Sequence, residues 1–502
     1  MGNLEPNSPL KERISLALNN EFLRNAVKFT TERLRKGKQT ATDELGNWEE
    51  WRSYGQAIRM HTIAHLDYYL SQFVNNVRAA GGFVHFASTA REAVEIAMKI
   101  MEAKQAKSVV KSKSMVSEEV HINQALEEKG IEVVETDLGE YIIQLAGETP
   151  SHIIIPAIHK NKKQIAELLS QVAGEPLPAD TAILAGFVRS KLREKFLSAD
   201  IGITGCNFAI AESGSIVLFS NEGNARMVST LPKTQITMMG MERIIPTWED
   251  LEVMATLLPR AATGQKLTVY MSAITGPKRS EDGDGPEELH IIIIDNGRSN
   301  QLGDPEFQEV LNCIRCGACL NACPVYRHVG GHAYGWVYSG PIGAVLTPVL
   351  QAEKEKWGEV ANASSLCGAC YEACPVKIPL HDMLVYLRRR NVEQGTTKKR
   401  EQWGMKVFQK VASSHKRYRL AIKAGRIGQK FVARKGEIKA KIGPLKKWTA
   451  HRTAPALAPR SFREMWQDLQ QQQTQIELDP TIQKRMEEML KKRGDQHESE
   501  QK

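Results

Sequence analysis

Seven of the chain's eight cysteines fall within 62 residues, between Cys313 and Cys374. The first block reads Cys313-Ile-Arg-Cys316-Gly-Ala-Cys319-Leu-Asn-Ala-Cys323-Pro324. This is the C-x2-C-x2-C-x3-C-P spacing of bacterial two-cluster ferredoxins, whose fourth cysteine serves the other cluster. The second block, Cys367-Gly-Ala-Cys370-Tyr-Glu-Ala-Cys374-Pro375, is the same motif with its first position changed, and three residues before Cys367 stands Ser364. In a large chain such crowding indicates metal binding, not disulfide staples. Zinc is the alternative, but seven cysteines do not divide into tetrads and the spacing is not a zinc spacing.

The ligand sets follow from the crossing. A first cluster takes Cys313, Cys316, Cys319 and Cys374. A second takes Cys323, Cys367 and Cys370 and lacks a fourth thiolate. Three outcomes are open for it: ligation by the Ser364 oxygen, a small molecule or partner residue on the open iron, or a three-iron [3Fe-4S] form. Two [4Fe-4S] clusters, the second with a non-cysteine ligand, are the expectation. Such clusters move one electron at a time, and an interleaved pair is a relay. Gly317, Ala318, Gly368 and Ala369 let backbone N–H groups approach the sulfides.

Other residues have plainer readings. Cys206 stands far from the blocks and reads as a small buried hydrophobe more than as the missing ligand. His328 and His332 are four apart, but Gly330 and Gly331 between them oppose a shared helix face, so a structural role is expected. Gly283 and Gly285 lie in an acidic stretch that precedes a strand, which suits a surface turn and not a phosphate loop. The loops holding Glu212, Asn224 and Arg226 flank the strand Ile216–Phe219; loops at strand ends can line a ligand crevice, which makes these three the substrate-binding candidates.

Around this core the chain divides by pattern. Residues 1–69 look helical and polar. Residues 70–297 alternate short apolar runs with helix patterns. Strands are expected at 108–110, 131–134, 153–155, 216–219, 267–271 and 290–294, and helices at 118–129 and 160–172. This predicts a mainly parallel sheet buried on both faces. The iron–sulfur region spans 303–382, a basic helical region 383–475 and a polar tail 476–502, whose residues Lys491–Lys502 are expected to be disordered, with Pro455 and Pro459 marking a linker. The longest weakly polar stretch, Pro341–Leu350, is too short to span a bilayer. The opening residues carry no basic-then-apolar signal, so a cytoplasmic location is expected.

The net charge of +9 is local in origin. Arg388–Arg452 holds 21 Lys and Arg against Glu393, Glu401 and Glu437, a balance of +18, which leaves −9 for the rest. No nucleic-acid motif accompanies it. Docking of partner subunits is the leading reading, with contact at an anionic membrane surface second.

With these residues assembled, the chain resembles the lactate utilization protein B family. The marks are Lys111-Ser-Lys-Ser-Met-Val-Ser-Glu-Glu119, Thr136-Asp-Leu-Gly-Glu140, Gly202-Ile-Thr-Gly-Cys-Asn-Phe-Ala-Ile-Ala-Glu-Ser-Gly214, Gly340-Pro-Ile-Gly-Ala-Val-Leu-Thr-Pro348 and the two cysteine blocks. The resemblance implies an α/β domain like those of sugar-phosphate isomerases and CoA-transferases (NagB/RpiA/CoA-transferase-like), joined to an α-helical ferredoxin-like domain. It also implies work with two sister proteins in oxidising L-lactate to pyruvate, and Ser364 fits its pattern. An electron-transfer subunit is the expectation; a catalytic hydroxyacid-binding subunit and a general ferredoxin-like adaptor are the rivals.

Overall fold

The computed structural model describes residues 8–351, 354–397, 399–438, 449, 452–475 and 480–499. The chain divides after Thr396 into two compact units.

The first unit opens with four helices: α1 (Leu10–Asn19), α2 (Glu21–Leu45), α3 (Trp48–Ala64) and α4 (Leu66–Ala79). Asn20 starts α2 by accepting the Leu23 N–H at 2.9 Å, satisfying one of the donors that a helix start leaves free. The buried face of α2, with Leu23, Val27, Thr31 and Leu34, repeats every three to four residues, so one stripe faces inward. That stripe packs on the helix Trp248–Thr263 and on the helices that carry the first cysteine block.

Ten strands follow: β1 (Phe83–Ala87), β2 (Ser108–Lys111), β3 (Glu132–Glu135), β4 (Ile201–Thr204), β5 (Phe208–Ile210), β6 (Ser215–Ser220), β7 (Thr234–Gly240), β8 (Ile244–Ile245), β9 (Tyr270–Ile274) and β10 (Glu288–Ile294). Among the described residues, six make one sheet in the order β1-β10-β7-β4-β2-β3. Every pairing in it is parallel. β7 and β10 lie inside it, away from both edges, and are buried almost end to end. The run Ile291-Ile-Ile-Ile294 is therefore apolar on both faces, as a sheet covered by helices requires. A smaller mixed sheet, β8-β5-β6-β9, leans against it.

The expected parallel sheet is present, but several of its expected parts are not. Residues 153–155 form no strand. Pro150 and Pro156 bracket them, and Nδ1 of His152 accepts the N–H groups of Ile154 and Ile155 at 3.0 and 3.2 Å, which folds the backbone into a turn. The helix expected at 118–129 is broken at His121, which takes φ +55°, and becomes Met115–Glu119 and Ile122–Glu127. The strand expected at 267–271 lies at Tyr270–Ile274, where it pairs antiparallel with β6. Strand 216–219 belongs to the smaller sheet, not the parallel one. The stretch 341–350 is a buried helix, Gly340–Leu350. No helix among the described residues is long and apolar enough to cross a membrane.

One hydrophobic core joins α1, α2 and α3, the smaller sheet and both cysteine blocks. The N-terminal helices and the cysteine region thus share an interior. The second unit holds the helices Lys399–Ala412, His415–Gln429, Phe462–Gln475 and Pro480–Ser499, with a small sheet of β11 (Ala433–Arg434), β12 (Glu437–Ile438) and β13 (Ala454–Pro455). Pro455, expected in a linker, pairs at the edge of that sheet, where a missing N–H is tolerated. Residues 491–499, expected to be disordered, belong to the helix Pro480–Ser499, which is rich in the helix formers Gln, Lys, Arg, Met and Glu; residues 476–479 and 500–502 lie outside the described residues.

Candidate iron-sulfur centre and the crevice beside it

The two cysteine blocks fold alike. In each, a glycine in the left-handed region, Gly317 at φ +73° and Gly368 at φ +78°, starts a five-residue helix, Ala318–Ala322 or Ala369–Ala373. A β-carbon disfavours that conformation, which is why glycine holds both positions. The blocks then place their side chains across one another. Cys313, Cys316 and Cys319 of the first line one small cavity together with Cys374 of the second. Cys323 lies near Cys367 and Cys370, close enough that the charge of its neighbours opposes ionisation of Cys323 and of Cys370. Cys319 feels Cys370 across the gap between the sets.

Burial, with Cys374 and Cys313 as like-charged neighbours, pushes the Cys316 thiol up to about 12. Burial and Cys323 do the same to Cys370. Cys319 is driven well above its ordinary value, and Cys323 and Cys374 upward, chiefly by burial. Thiolates are the ligands of iron, and buried together they need a counter-charge. A cationic iron–sulfide core supplies one, so this donor set fits the cluster.

Basic residues stand around the first set. Arg52 of α3, 5 % exposed, donates to the Cys374 carbonyl at 2.9 Å and to the Tyr371 carbonyl at 2.7 Å. Lys38 of α2 donates to the Ala373 carbonyl at 2.6 Å. Arg315 lies inside the first block. Its position among mixed residues carried no sequence signal, and neither did those of Lys38 and Arg52, far upstream. Backbone N–H groups also reach sulfur: Arg315 to Cys313 at 3.4 Å, Tyr326 to Cys323 at 3.5 Å, Ile378 to Cys374 at 3.4 Å. Such bonds tune a cluster's potential.

Ser364 repeats the local geometry of Cys313. The N–H of Arg315, at φ +58°, donates to the Cys313 sulfur, and the N–H of Leu366, at φ +55°, donates to the Ser364 hydroxyl oxygen at 3.1 Å. Beside it, the Tyr334 hydroxyl interacts with Cys323 and donates to the Ala363 carbonyl at 3.5 Å. Cys367 is exposed, and the other members of the second set are buried.

A crevice adjoins the first set. It is formed at the C-terminal ends of β2, β4 and β7 by Lys113, Cys206, Asn207 and Arg243, closed by Asn224 and Arg315. Ligands of open parallel sheets sit at this edge. Among the described residues, the Arg243 guanidinium makes no hydrogen bond or ion pair. The buried Arg315 Nε also lacks a partner. Crevice desolvation, then the Asp137 carboxylate, pushes Glu222 up to about 7 although its outer side is open to solvent.

Of the substrate-binding candidates, only Asn224 lines this crevice. Glu212 accepts the Trp248 N–H at 2.7 Å and caps a helix instead, and Arg226 is exposed on the helix Asn224–Thr230. Cys206 packs at the edge of a hydrophobic cluster, its thiol raised to about 12 by burial. His328 is exposed with Nδ1 against the Pro324 carbonyl, and His332 donates to the Thr149 carbonyl at 2.7 Å; the helix of His328 ends at Val329, and Gly330 at φ +67° separates it from the short helix of His332.

These features define a class: an α/β protein whose parallel sheet is fused to a two-block iron–sulfur domain. The family models agree, with a LUD domain matching residues 70–294, a 4Fe-4S dicluster domain matching 309–378 and a "Lactate utilisation protein B, C-terminal" model matching 388–471. Lactate utilization protein B of Shouchella clausii is 52% identical over 466 residues, covering 93% of this chain and 98% of its own. That of Bacillus subtilis is 52% identical over 460 residues, covering 91% and 96%. The chain belongs to the lactate utilization protein B family. A crystal structure of a DUF162 family protein from Deinococcus radiodurans covers 46% of this chain and 98% of its own, at 18% identity and a TM-score of 0.27, which is too weak to argue from.

Proposed function

We propose that this chain is the iron–sulfur electron carrier of a system that oxidises L-lactate to pyruvate and supports growth on lactate. The observation that carries the reading is the crossed pair of thiol sets in a chain whose relatives are named for lactate utilization. Cys313, Cys316, Cys319 and Cys374 hold the first [4Fe-4S] cluster, and Cys323, Cys367 and Cys370 hold the second. Bound clusters exchange single electrons, so two of them take a two-electron load in sequence. The protein orients them: Arg52, Lys38 and Arg315 set positive charge beside the first, and the exposure of Cys367 leaves the second open to a partner.

The fold reading goes with it. A parallel sheet with its crevice at the C-terminal strand ends supports the sugar-phosphate isomerase and CoA-transferase type. The partners are the two sister lactate-utilization proteins, and the segment 388–452 is their docking region. Support for docking is its charge of +18 and the exposed Trp403, Phe408, Tyr418 and Leu420 on helices that bury none of their residues. We place the carrier in the cytoplasm.

The test is reduction of the anaerobic protein by L-lactate, followed by visible absorbance. Bleaching is expected only when the sister proteins are added, and a chain ending at Thr396 is expected to lose it. Intact growth on lactate after deletion of the gene would overturn the reading.

Ser364 is the fourth ligand of the second cluster in this reading. The matching N–H contacts at Ser364 and Cys313 support it. Ser364→Cys is expected to change the electron paramagnetic resonance of one cluster only, and Ser364→Ala to convert that cluster to a three-iron form on mild oxidation. Identical spectra for wild type and Ser364→Ala would remove serine from the ligand set.

A further inference from the structure

The crevice at the sheet edge is unused by the relay, yet it ends against the cysteine loop. Arg315 lines both the crevice and the cavity of the first thiol set. We infer that the crevice binds a small carboxylate, gripped by the guanidiniums of Arg243 and Arg315 on the wall shared with Cys313 and Cys316.

Three observations carry this. The two guanidiniums keep donors that the described residues do not satisfy: the whole of Arg243, and the Nε of Arg315 in a residue only 7 % exposed. The Arg315 Nε is a buried donor, and buried polar groups are nearly always paired, so an acceptor is expected against it; Arg243, half-buried, presents its donors at the same crevice. Arg315 is otherwise committed, donating to Glu242 at 3.2 Å and to the Cys313 carbonyl at 3.3 Å, and its guanidinium lies 4.9 Å from the Tyr338 ring. It is fixed in place and still has a donor to give.

Size is the second. The crevice offers about 230 Å³. Sites for drug-sized ligands hold roughly 300–1,000 Å³, so a dinucleotide does not fit and a small acid does.

Charge is the third. Arg243, Arg315 and Lys113 face Asp137 and Glu222. Asp137 spends part of its charge on the Gly139 and Glu140 N–H groups, at 3.0 and 3.1 Å, and shares a hydrogen bond with Glu222. The balance is positive, which draws an anion. The two acids at the mouth oppose a phosphate dianion more than a carboxylate monoanion. A guanidinium also matches the two carboxylate oxygens as a fork. The protonated form of Glu222 can donate to an oxygen on the next carbon, which adds a preference for 2-hydroxy or 2-keto acids. That preference rests on the lactate reading; the carboxylate does not.

The experiment is calorimetric titration of the anaerobic, iron-loaded full chain with pyruvate, L-lactate, acetate and inorganic phosphate. One pyruvate or lactate per chain is expected, with a shift in the resonance spectrum of the first cluster. Loss of a charge-assisted hydrogen bond to the carboxylate is the reason that Arg243→Gln is expected to weaken pyruvate binding by about tenfold or more. Arg243→Lys falls between, because it keeps the charge and loses the fork. Should Arg243→Gln lose its iron, Asn224→Ala on the opposite wall carries the same comparison. Acetate binding as well as pyruvate keeps the carboxylate site. Binding of phosphate alone, or of none of the four, overturns it, as does Arg243→Gln with full iron and unchanged affinity. Failure here with growth on lactate intact sinks only this inference, and pyruvate binding with lactate growth unaffected by deletion sinks only the lactate reading.

Discussion

Cys374→Ala is expected to abolish the same cluster signal as Cys313→Ala, although the two cysteines belong to different blocks. Cys367→Ala is expected to abolish the other. The reason is the crossing: Cys374 stands with Cys313, Cys316 and Cys319 around one cavity, and the sequence-adjacent Cys370 stands with Cys323. Losing one of two four-iron clusters removes roughly half of the iron and acid-labile sulfide. The effect on stability is also large. The cavity lies inside the core shared by α2, α3 and both blocks, and Arg52, almost wholly buried, faces it. Without the anionic cluster, that buried guanidinium loses a Coulombic neighbour and is left with the largely exposed Glu49, at 2.6 Å, as its ion-pair partner, and an incompletely compensated buried charge is costly. The checks are iron and sulfide assays, resonance spectra of each reduced variant, and anaerobic thermal melts. A Cys374→Ala spectrum matching that of Cys367→Ala would mean that each block binds its own cluster.

The legible part of this site was the part written in local spacing. Four cysteines with a fixed rhythm, and three more in the same rhythm, state their chemistry without a fold. The place of Ser364 in the repeat was legible for the same reason, since counting back along a repeat needs no tertiary information. The strand run Ile291–Ile294 was legible because a fully apolar strand of β-branched residues has few other uses. What was hidden depends on distance along the chain. Lys38 and Arg52 read as ordinary helix residues in a polar N-terminal region, yet they bond the backbone of the second block. Arg243 follows a strand, β7, that was missed altogether, because Thr234-Gln-Ile-Thr-Met-Met mixes polar and apolar residues without alternation. Its polar members bond within the sheet, where the Gln235 amide nitrogen donates to the Thr204 and Thr237 hydroxyls at 3.2 Å each. The three substrate-binding candidates were chosen by proximity to a strand end. Of them, Asn224 lines the crevice, since which side of a loop faces inward is decided by the packing of the smaller sheet.

Arg298→Met is expected to be the most destabilising single change outside the cysteines. In the sequence Arg298 sits in a turn-rich exit between domains, where an arginine would ordinarily face water. In the structure it is 1 % exposed and joins the two halves of the first unit. Its two terminal nitrogens grip Glu119 at 2.8 Å each, and Nε donates to Glu242 at 2.7 Å. Glu242 in turn accepts from Arg315 in the cysteine loop, and Tyr338 donates to Glu119 at 2.7 Å. Burial pushes the Glu242 carboxyl up, but Arg298 and Arg315 outweigh it and hold the group near 2. Glu119 is held low in the same way. Methionine fills similar space but leaves two carboxylates in the interior with Arg298's charge removed. Breaking a buried pair costs about 3–5 kcal/mol, a large share of a domain's net stability. Arg298→Lys keeps the charge and gives up the fork, so its loss is expected to be smaller. Glu242 also positions Arg315, so Arg298→Met is expected to alter the spectrum of the first cluster as well as the urea midpoint of the anaerobic protein. A midpoint within error of wild type would mean that the network is balanced by its own desolvation, and that the apolar core alone holds the sheet to the cysteine blocks.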